Sequence, residues 1–187
     1  EQTATALSIA ASLASGIKAN FGTMVKPLHI GHCTRNGMFA ALLARDGFTG
    51  PAGVLDGTYG VLNVFCRDAQ PARLTQELGS TWCVMRTRIK RYACHATAHV
   101  PVTLALDLKA QHKLAGDDVA EIAIAGSEKV VHQHAINEPL DLTTMQYSVP
   151  FCTAIALHRD PLDPRVFSEA TLNDPKIRAL AKTARVE

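Results

Sequence analysis

The sequence predicts an α+β protein in which a helical block is followed by a segment of alternating strands and helices. Apolar residues make up 47% of the 187 residues and aromatic residues only 5%. This alanine-rich composition is typical of closely packed helices rather than of an aromatic-rich β-sandwich. Apolar residues recur at helical spacing in the first part of the chain, whereas alternation at a period of two occurs only later. We therefore expect domains at residues 1–79 and 80–187.

The first block is predicted to be helical. Its first elements are an amphipathic helix over residues 1–14, a loop over residues 22–32 and a helix over residues 35–44 that stops at Gly47. A further helix is expected to start after Asp68, with Pro71 in its first turn, and to end at Gly79. The loop is expected because a residue before proline is pushed toward extended backbone, so Lys26 is not expected in the middle of a helix.

The second block is predicted to be mixed. Its elements are, in order, a strand over residues 82–89, a helix over residues 103–113 with Leu104 and Leu108 inward, a strand over residues 119–125, a helix over residues 144–158, a short helix opened by Asp174 and Pro175, and the start of a strand at the end of the chain. The long helix is expected to end before the prolines at positions 161 and 164.

Composition also limits the classes of function. The net charge of +2 gives no electrostatic reason to expect nucleic acid or an anionic membrane as a partner. No apolar run approaches the roughly 18 residues of a membrane helix, and the chain opens without a basic and apolar leader. The five cysteines are odd in number and scattered, as expected of free thiols in a reducing compartment. These features predict a soluble cytoplasmic protein.

Motifs for common cofactors and metals are absent. The chain has no glycine-rich dinucleotide fingerprint, phosphate loop, paired-cysteine zinc signature or zincin motif. Three histidine pairs, His29/His32, His95/His99 and His132/His134, place two rings on one face of a helix or strand. No carboxylate or cysteine is spaced to complete a coordination shell, so packed or solvated histidines are the preferred interpretation and no metal is predicted.

Three stretches carry candidate site residues. Lys26, in a loop between glycines, is placed to meet an anionic ligand near a helix start, or is a solvated surface lysine. The stretch Arg88–His95 joins cations, a phenol, a thiol and an imidazole, which suits either a carboxylate-binding corner or a charged strand edge. Gln146 and Tyr147 open an apolar helix, where Tyr147 is a candidate site residue or a core tyrosine with a bonded hydroxyl.

Together these motifs resemble the MmgE/PrpD family, which includes 2-methylcitrate dehydratase, cis-aconitate decarboxylase and iminodisuccinate epimerase. The resemblance covers nearly the whole chain in the family's order and spacing. The resemblance rests on four segments: GTMVKPLHIGHCTRNG at residues 22–37, the stretch over residues 38–60, IKRYACHATAH at residues 89–99 and MQYSVPFCTAIAL at residues 145–157. The lysine-proline-leucine-histidine stretch and IKRYACH are the specific parts.

The resemblance implies part of a large all-helical domain followed by part of a smaller α/β domain, with the active site between them. It also implies a homodimer that needs no metal or organic cofactor. It implies that Lys26, Lys90 and Tyr147 match family active-site residues and that His95 matches a histidine beside the second lysine. With His29, these residues are the candidates for binding a small di- or tricarboxylate. The family also uses an aspartate, a threonine and histidines from an N-terminal half that this sequence does not contain.

Three functions follow from the resemblance. The first is a lyase of the 2-methylcitrate dehydratase or cis-aconitate decarboxylase type, as in propionate metabolism, working through a carbanion-like intermediate. The second is an isomerase or epimerase on a dicarboxylate such as iminodisuccinate. The third is a non-catalytic fragment that acts as a binding module or dimer scaffold, because this chain alone is expected to be inactive.

Overall fold

The chain divides into a helical unit and a mixed unit. The structure, a computed structural model, describes all 187 residues. The first unit spans Glu1–Thr87 and the second spans Arg88–Glu187. No helix in either unit combines the length and the apolar character needed to cross a bilayer.

The first unit is helical. Its α-helices are α1 (Gln2–Ser12), α2 (Val25–Arg45) and α3 (Val61–Phe65), and its 3-10 helices are Lys18–Asn20, Pro71–Leu74 and Cys83–Arg86.

Helices α1 and α2 pack against each other, and the side chain of Asn36 on α2 donates a 3.1 Å hydrogen bond to the carbonyl oxygen of Leu13, just after α1. Asn36, Ala40 and Ala44 form the buried stripe of α2, because small side chains at this spacing allow two helices to approach closely. Helix α2 ends as expected, with Gly47 at a φ of +91°, a conformation that glycine adopts without strain.

Two predictions for this unit are wrong in detail. The loop expected over residues 22–32 does not form, because α2 already begins at Val25. Pro27 lies in the first turn of α2, where a backbone N–H has no partner within the helix, so proline is tolerated there. Lys26 is therefore helical, although it lies at the helix start rather than in its middle. The helix expected over residues 68–79 reduces to the 3-10 helix at residues 71–74.

The strand expected over residues 82–89 is also wrong. This segment contains a 3-10 helix instead, and its apolar side chains are exposed, with Trp82 at 66% and Ile89 at 95%. A strand is stable only when a neighbouring strand satisfies its backbone groups, and no strand pairs with this segment.

The second unit is mixed. Its α-helices are α4 (His99–His112), α5 (Glu128–His134), α6 (Leu142–Tyr147), α7 (Val149–His158), α8 (Glu169–Leu172) and α9 (Pro175–Thr183), and its strands are β1 (Ala123–Ile124) and β2 (Arg185–Val186). Three 3-10 helices complete it, at Ala96–Ala98, Gly116–Asp118 and Pro164–Val166. The strands are parallel, with Ala123 opposite Arg185 and Ile124 opposite Val186, so the expected strand at the end of the chain is confirmed.

Helix α7 is the centre of this unit. All residues from Val149 to Leu157 are buried, which is the pattern of a helix covered on every side. Helices α4 and α9 pack against it. The predicted single helix over residues 144–158 is instead two helices, because Ser148 adopts an extended ψ of 117° between α6 and α7.

Two further predictions concern α4 and α9. Helix α4 forms as expected, but Leu104 and Leu108 are 55% and 53% exposed and line an apolar groove of about 550 Å³ beside β1. The side of α4 that faces α7 consists instead of Val102 and Ala105. Helix α9 begins as predicted, because the side chain of Asp174 accepts hydrogen bonds from the first free amides and proline occupies the next position.

Candidate active site

Two distant segments of the second unit meet at the backbone. The amide of His95 donates a 2.7 Å hydrogen bond to the carbonyl oxygen of Gln146. The side-chain amide of Gln146 returns a 2.9 Å bond to the carbonyl oxygen of Ala93. This pair of bonds joins the IKRYACH stretch to the end of α6. As a result, Lys90 and His95 share one region of the unit with Tyr147, although Tyr147 lies more than fifty positions further along the sequence.

Three rings form the middle of this region. The ring of His95 stacks on that of His134, with centroids 4.4 Å apart and planes inclined by 26°. The ring of Tyr147 lies 4.7 Å from that of His95 and 5.7 Å from that of His134. We call His95, His134 and Tyr147 the ring cluster. Each ring contacts the other two, so the orientation of each depends on its neighbours.

Hydrogen bonds assign the tautomer of His95. Its Nδ1 atom accepts a 3.4 Å hydrogen bond from the backbone amide of Thr97 and lies 2.8 Å from the hydroxyl of the same residue. An amide can only donate, so Nδ1 carries no proton and the proton of the neutral ring is on Nε2. His95 caps the short helix at residues 96–98 in this way. The Nε2–H group is therefore the hydrogen-bond donor of this imidazole.

His134 is the member of the ring cluster that the sequence did not identify as a site residue. Its side chain is buried, with 3% exposure, and its Nδ1 atom donates a 3.2 Å hydrogen bond to the carbonyl oxygen of Tyr147. Burial lowers the pKa of His134 and the nearby Lys129 adds to this, while the hydrogen bond to Tyr147 opposes it. His134 is consequently neutral near pH 7.

The sequence offered only the pair His132/His134. The structure separates them, because α5 turns residues two apart to opposite sides. The side chain of His132 is 70% exposed and lies 3.9 Å from Glu128. Nothing in the local sequence shows which of the two rings points inward, since that depends on the position of Tyr147, which lies on another helix.

Lys90 supplies the positive charge of this region. Its Nζ atom donates a 3.0 Å hydrogen bond to the carbonyl oxygen of Cys94, and the residue is exposed. An ammonium group has three N–H donors, so two remain for other acceptors. The bond to Cys94 folds the lysine back over its own segment and holds the ammonium near the residue that precedes His95.

A buried pair of thiols lies behind this segment. A hydrogen bond from Cys152 lowers the pKa of Cys94, and the Lys90 ammonium acts in the same direction. The same hydrogen bond and complete burial raise the pKa of Cys152. The Cys152 thiol also lies 3.3 Å from the carbonyl oxygen of Met145. The pair therefore packs the IKRYACH stretch against the end of α6.

Lys26 and His29 belong to the first unit. Both are half-buried and lie one turn apart on α2. The Nζ atom of Lys26 lies 5.4 Å from the centre of the Phe21 ring, within the range of a cation–π contact. The His29 ring lies against Gly16, where an added Cβ would approach the imidazole to 3.3 Å. The structure thus gathers Lys90, His95 and Tyr147 within the second unit and places Lys26 and His29 together in the first.

The structure contains no group of three or more histidine, cysteine, aspartate or glutamate side chains arranged to hold a metal ion. The region around Lys90 instead combines one cation, an imidazole Nε2–H and a phenol. A cation binds carboxylates and stabilises negative charge that develops next to them. Imidazole and phenol groups are suited to donating hydrogen bonds or protons. This combination suits binding and protonation of an anionic substrate.

Comparison with known proteins gives this region a context. The MmgE/PrpD N-terminal domain model matches residues 1–74, and the MmgE/PrpD C-terminal domain model matches residues 92–187. Together these matches cover most of the chain. The chain therefore belongs to the MmgE/PrpD family, as the motifs predicted.

Individual relatives are cis-aconitate decarboxylases. One from Aspergillus terreus is 36% identical over 115 residues, which is 57% of this chain and 24% of the relative. Another from a strain of the same species is 39% identical over 105 residues, or 52% of this chain and 21% of the relative. The human enzyme is 26% identical over 190 residues, covering 97% of this chain and 39% of the relative. The chain thus spans between about a fifth and two fifths of the length of these relatives.

Proposed function

We propose that the complete protein is a cofactor-independent lyase that acts on a small di- or tricarboxylate, with decarboxylation of a substrate like cis-aconitate as the first candidate reaction. The observation that supports this most directly is the grouping of Lys90, His95 and Tyr147 on segments joined by the bonds between His95, Ala93 and Gln146. The names of the cis-aconitate decarboxylase relatives favour decarboxylation over the family's other reactions.

The proposed reaction needs a group that stabilises the negative charge left when the carbon–carboxylate bond breaks, and a group that donates a proton. In decarboxylation the bond between carbon and a carboxylate breaks, the electron pair stays on the carbon, and carbon dioxide leaves. A proton then adds to the resulting carbanion-like centre. A positive charge near the remaining carboxylates stabilises the transition state because negative charge grows on them as the bond breaks. An acid within reach of the carbanion completes the step.

The residues of the second unit are assigned to these roles. Lys90 binds and polarises one carboxylate through the N–H donors that its bond to Cys94 leaves over. His95, with its proton on Nε2, donates a hydrogen bond or a proton. Tyr147, held beside His95, supplies the second such group. Lys26 is proposed as a further carboxylate-binding cation and His29 as its substrate-binding neighbour on α2.

The remaining features are proposed by resemblance to the family. They are a homodimeric assembly and a reaction without metal or organic cofactor. The cytoplasmic location is proposed on the odd number and scattered positions of the cysteines. A base from outside the present sequence is proposed to complete the site. An epimerase that removes and returns a proton next to a carboxylate would use the same cation and proton donors, so it is an outcome of the test rather than a second proposal.

The test is a panel of di- and tricarboxylates incubated with the complete protein. We expect enzyme-dependent release of carbon dioxide from cis-aconitate and a loss of about 100-fold in turnover for Lys90→Ala. The control is Arg86→Ala, which removes an exposed cation from the first unit and should leave turnover within about twofold of the original. Loss of water from 2-methylcitrate or epimerisation of iminodisuccinate, without release of carbon dioxide, would replace the decarboxylase assignment. Saturable binding without any turnover would indicate a binding module.

A further inference from the structure

His134 makes its one ring hydrogen bond to the backbone. Its Nδ1 atom lies 3.2 Å from the carbonyl oxygen of Tyr147. A carbonyl oxygen only accepts, so Nδ1 carries the proton of the neutral ring. The Nε2 atom is buried and has no hydrogen-bond partner. An unsatisfied buried acceptor lowers the stability of the folded state, and an apolar ring of similar shape would avoid that loss. The imidazole is therefore less stabilising here than an apolar ring would be, and its Nδ1–H group is the feature that an apolar ring could not provide.

That hydrogen bond ends at the junction between α6 and α7. Tyr147 is the last residue of α6, and Ser148 caps the beginning of α7. The hydroxyl of Ser148 donates to the carbonyl oxygen of Ile136, two residues after His134. The segment from His134 to Ile136 thus bonds to two successive residues at the junction. The segment therefore anchors the backbone of Tyr147 at its carbonyl and holds the residue that follows it.

The ring of His134 also contacts both proton-bearing side chains. It stacks on His95 with centroids 4.4 Å apart and lies 5.7 Å from the Tyr147 ring. His95 is oriented from its other side by the bonds of Nδ1 to Thr97. The stack therefore restricts the tilt of His95, while the hydrogen bond restricts the backbone of Tyr147.

We propose that His134 is a positioning residue of the site: its Nδ1–H holds the carbonyl of Tyr147 while its ring supports His95, so that both groups keep fixed orientations toward a substrate. The kinetic part of this inference rests on the proposed function. Its structural part does not. A misplacement of reacting groups by about 1 Å can lower a rate by 100-fold, so the predicted effect is on kcat rather than on KM.

Two substitutions separate the hydrogen bond from the stack. His134→Phe keeps a stacking ring and removes the donor, whereas His134→Asn keeps a donor near the position of Nδ1 and removes the ring. In the complete protein we expect His134→Phe to lower kcat by about 100-fold with KM changed less than about threefold, and His134→Asn to recover at least about tenfold of that loss. The control is His132→Asn, on the exposed side of α5. Equal kcat values for His134→Phe and His132→Asn, or no recovery in His134→Asn, would overturn the proposal.

A measurement without substrate separates this inference from the proposed function. Nitrogen-15 NMR of labelled histidines in the unsubstituted protein at about pH 7 should show His134 neutral with its proton on Nδ1. The resonances of His95 should shift in His134→Phe and stay in place in His132→Asn. If turnover is absent but these signals are as expected, the proposed function fails and the structural role stands. A proton on Nε2 of His134 in the unsubstituted protein would overturn the role whatever the turnover.

Discussion

The backbone amide of His95 and the carbonyl oxygen of Gln146 lie 2.7 Å apart and form the bond that assembles the candidate site. It joins the segment that carries Lys90 to the helix that ends in Tyr147. Side chains separated by about fifty positions thereby share one region of the second unit. The ring cluster and the thiol pair pack around the same connection.

The Gln146 side chain gives a direct test of this connection. Gln146→Met removes the 2.9 Å bond to the carbonyl oxygen of Ala93 and keeps a side chain of similar length. We expect kcat to fall by about tenfold, because the segment with Lys90 and His95 loses one of its two hydrogen bonds with Gln146. Gln133→Met, an exposed glutamine on α5, serves as the control. Steady-state kinetics give kcat for both variants. Equal kcat values would show that the side-chain bond does not position the segment.

Lys26 is predicted to act on the substrate. Replacing it with alanine in the complete protein should lower turnover by at least about 100-fold, because an ammonium that stabilises developing negative charge is lost. Lys18→Ala is the matched control, since this lysine is exposed and lies in the same unit. Both variants are compared by initial rates at saturating substrate. An undiminished rate in Lys26→Ala would remove Lys26 from the site.

Ser148 is predicted to stabilise the junction between α6 and α7. Its hydroxyl donates to the carbonyl oxygen of Ile136 and accepts a 2.9 Å bond from the amide of Phe151. Ser148→Ala should lower the free energy of unfolding by about 1–3 kcal/mol, because a buried amide and a partly buried carbonyl lose their partner. Ser127 begins α5 without a side-chain capping bond, so Ser127→Ala should cost less than about 0.5 kcal/mol. Urea unfolding followed by circular dichroism compares them, and equal losses would contradict the assigned role of the hydroxyl.

The buried ring of His134 predicts a pH dependence of stability. Burial lowers its pKa in the folded state, and Lys129 adds to the effect. His95 and Tyr147 also face this ring. The unfolded chain then binds more protons than the folded one, so the free energy of unfolding falls as the pH drops below the unfolded value of about 6.5.

His134→Phe should remove part of this pH dependence. His158 retains a contribution of the same sign, because burial lowers its pKa as well. Urea midpoints measured between about pH 7.5 and pH 5 report both contributions. A midpoint that rises as the pH falls, or an identical slope in His134→Phe, would contradict the prediction.

Local signals in the sequence predicted the helix ends well. Asp174 with Pro175 opens α9, and Gly47 follows the end of α2, because capping bonds and a positive φ depend on a few adjacent residues. The family motifs likewise identified Lys90, His95 and Tyr147. The structure brings these three residues together, while their roles stay predictions.

Features that depend on distant neighbours were not predictable. Leu104 and Leu108 have the same helical spacing as a buried stripe, but the position of α7 makes the side with Val102 and Ala105 the buried one. The break at Ser148 depends on a partner, Ile136, from another segment. His134 is distinguished from His132 only by contact with the rings of His95 and Tyr147. The domain boundary expected after residue 79 stays a prediction for the complete protein.

The most direct measurement is NMR of cis-aconitate incubated with the complete protein in deuterated water. The account predicts that the substrate disappears only in the presence of the protein, that carbon dioxide is released, and that the product carries one deuterium at the carbon where the proton adds. The Lys90→Ala variant should slow this conversion by about 100-fold. Unchanged cis-aconitate, with no deuterium incorporated into it or into the other carboxylates of the panel, would contradict the proposed function.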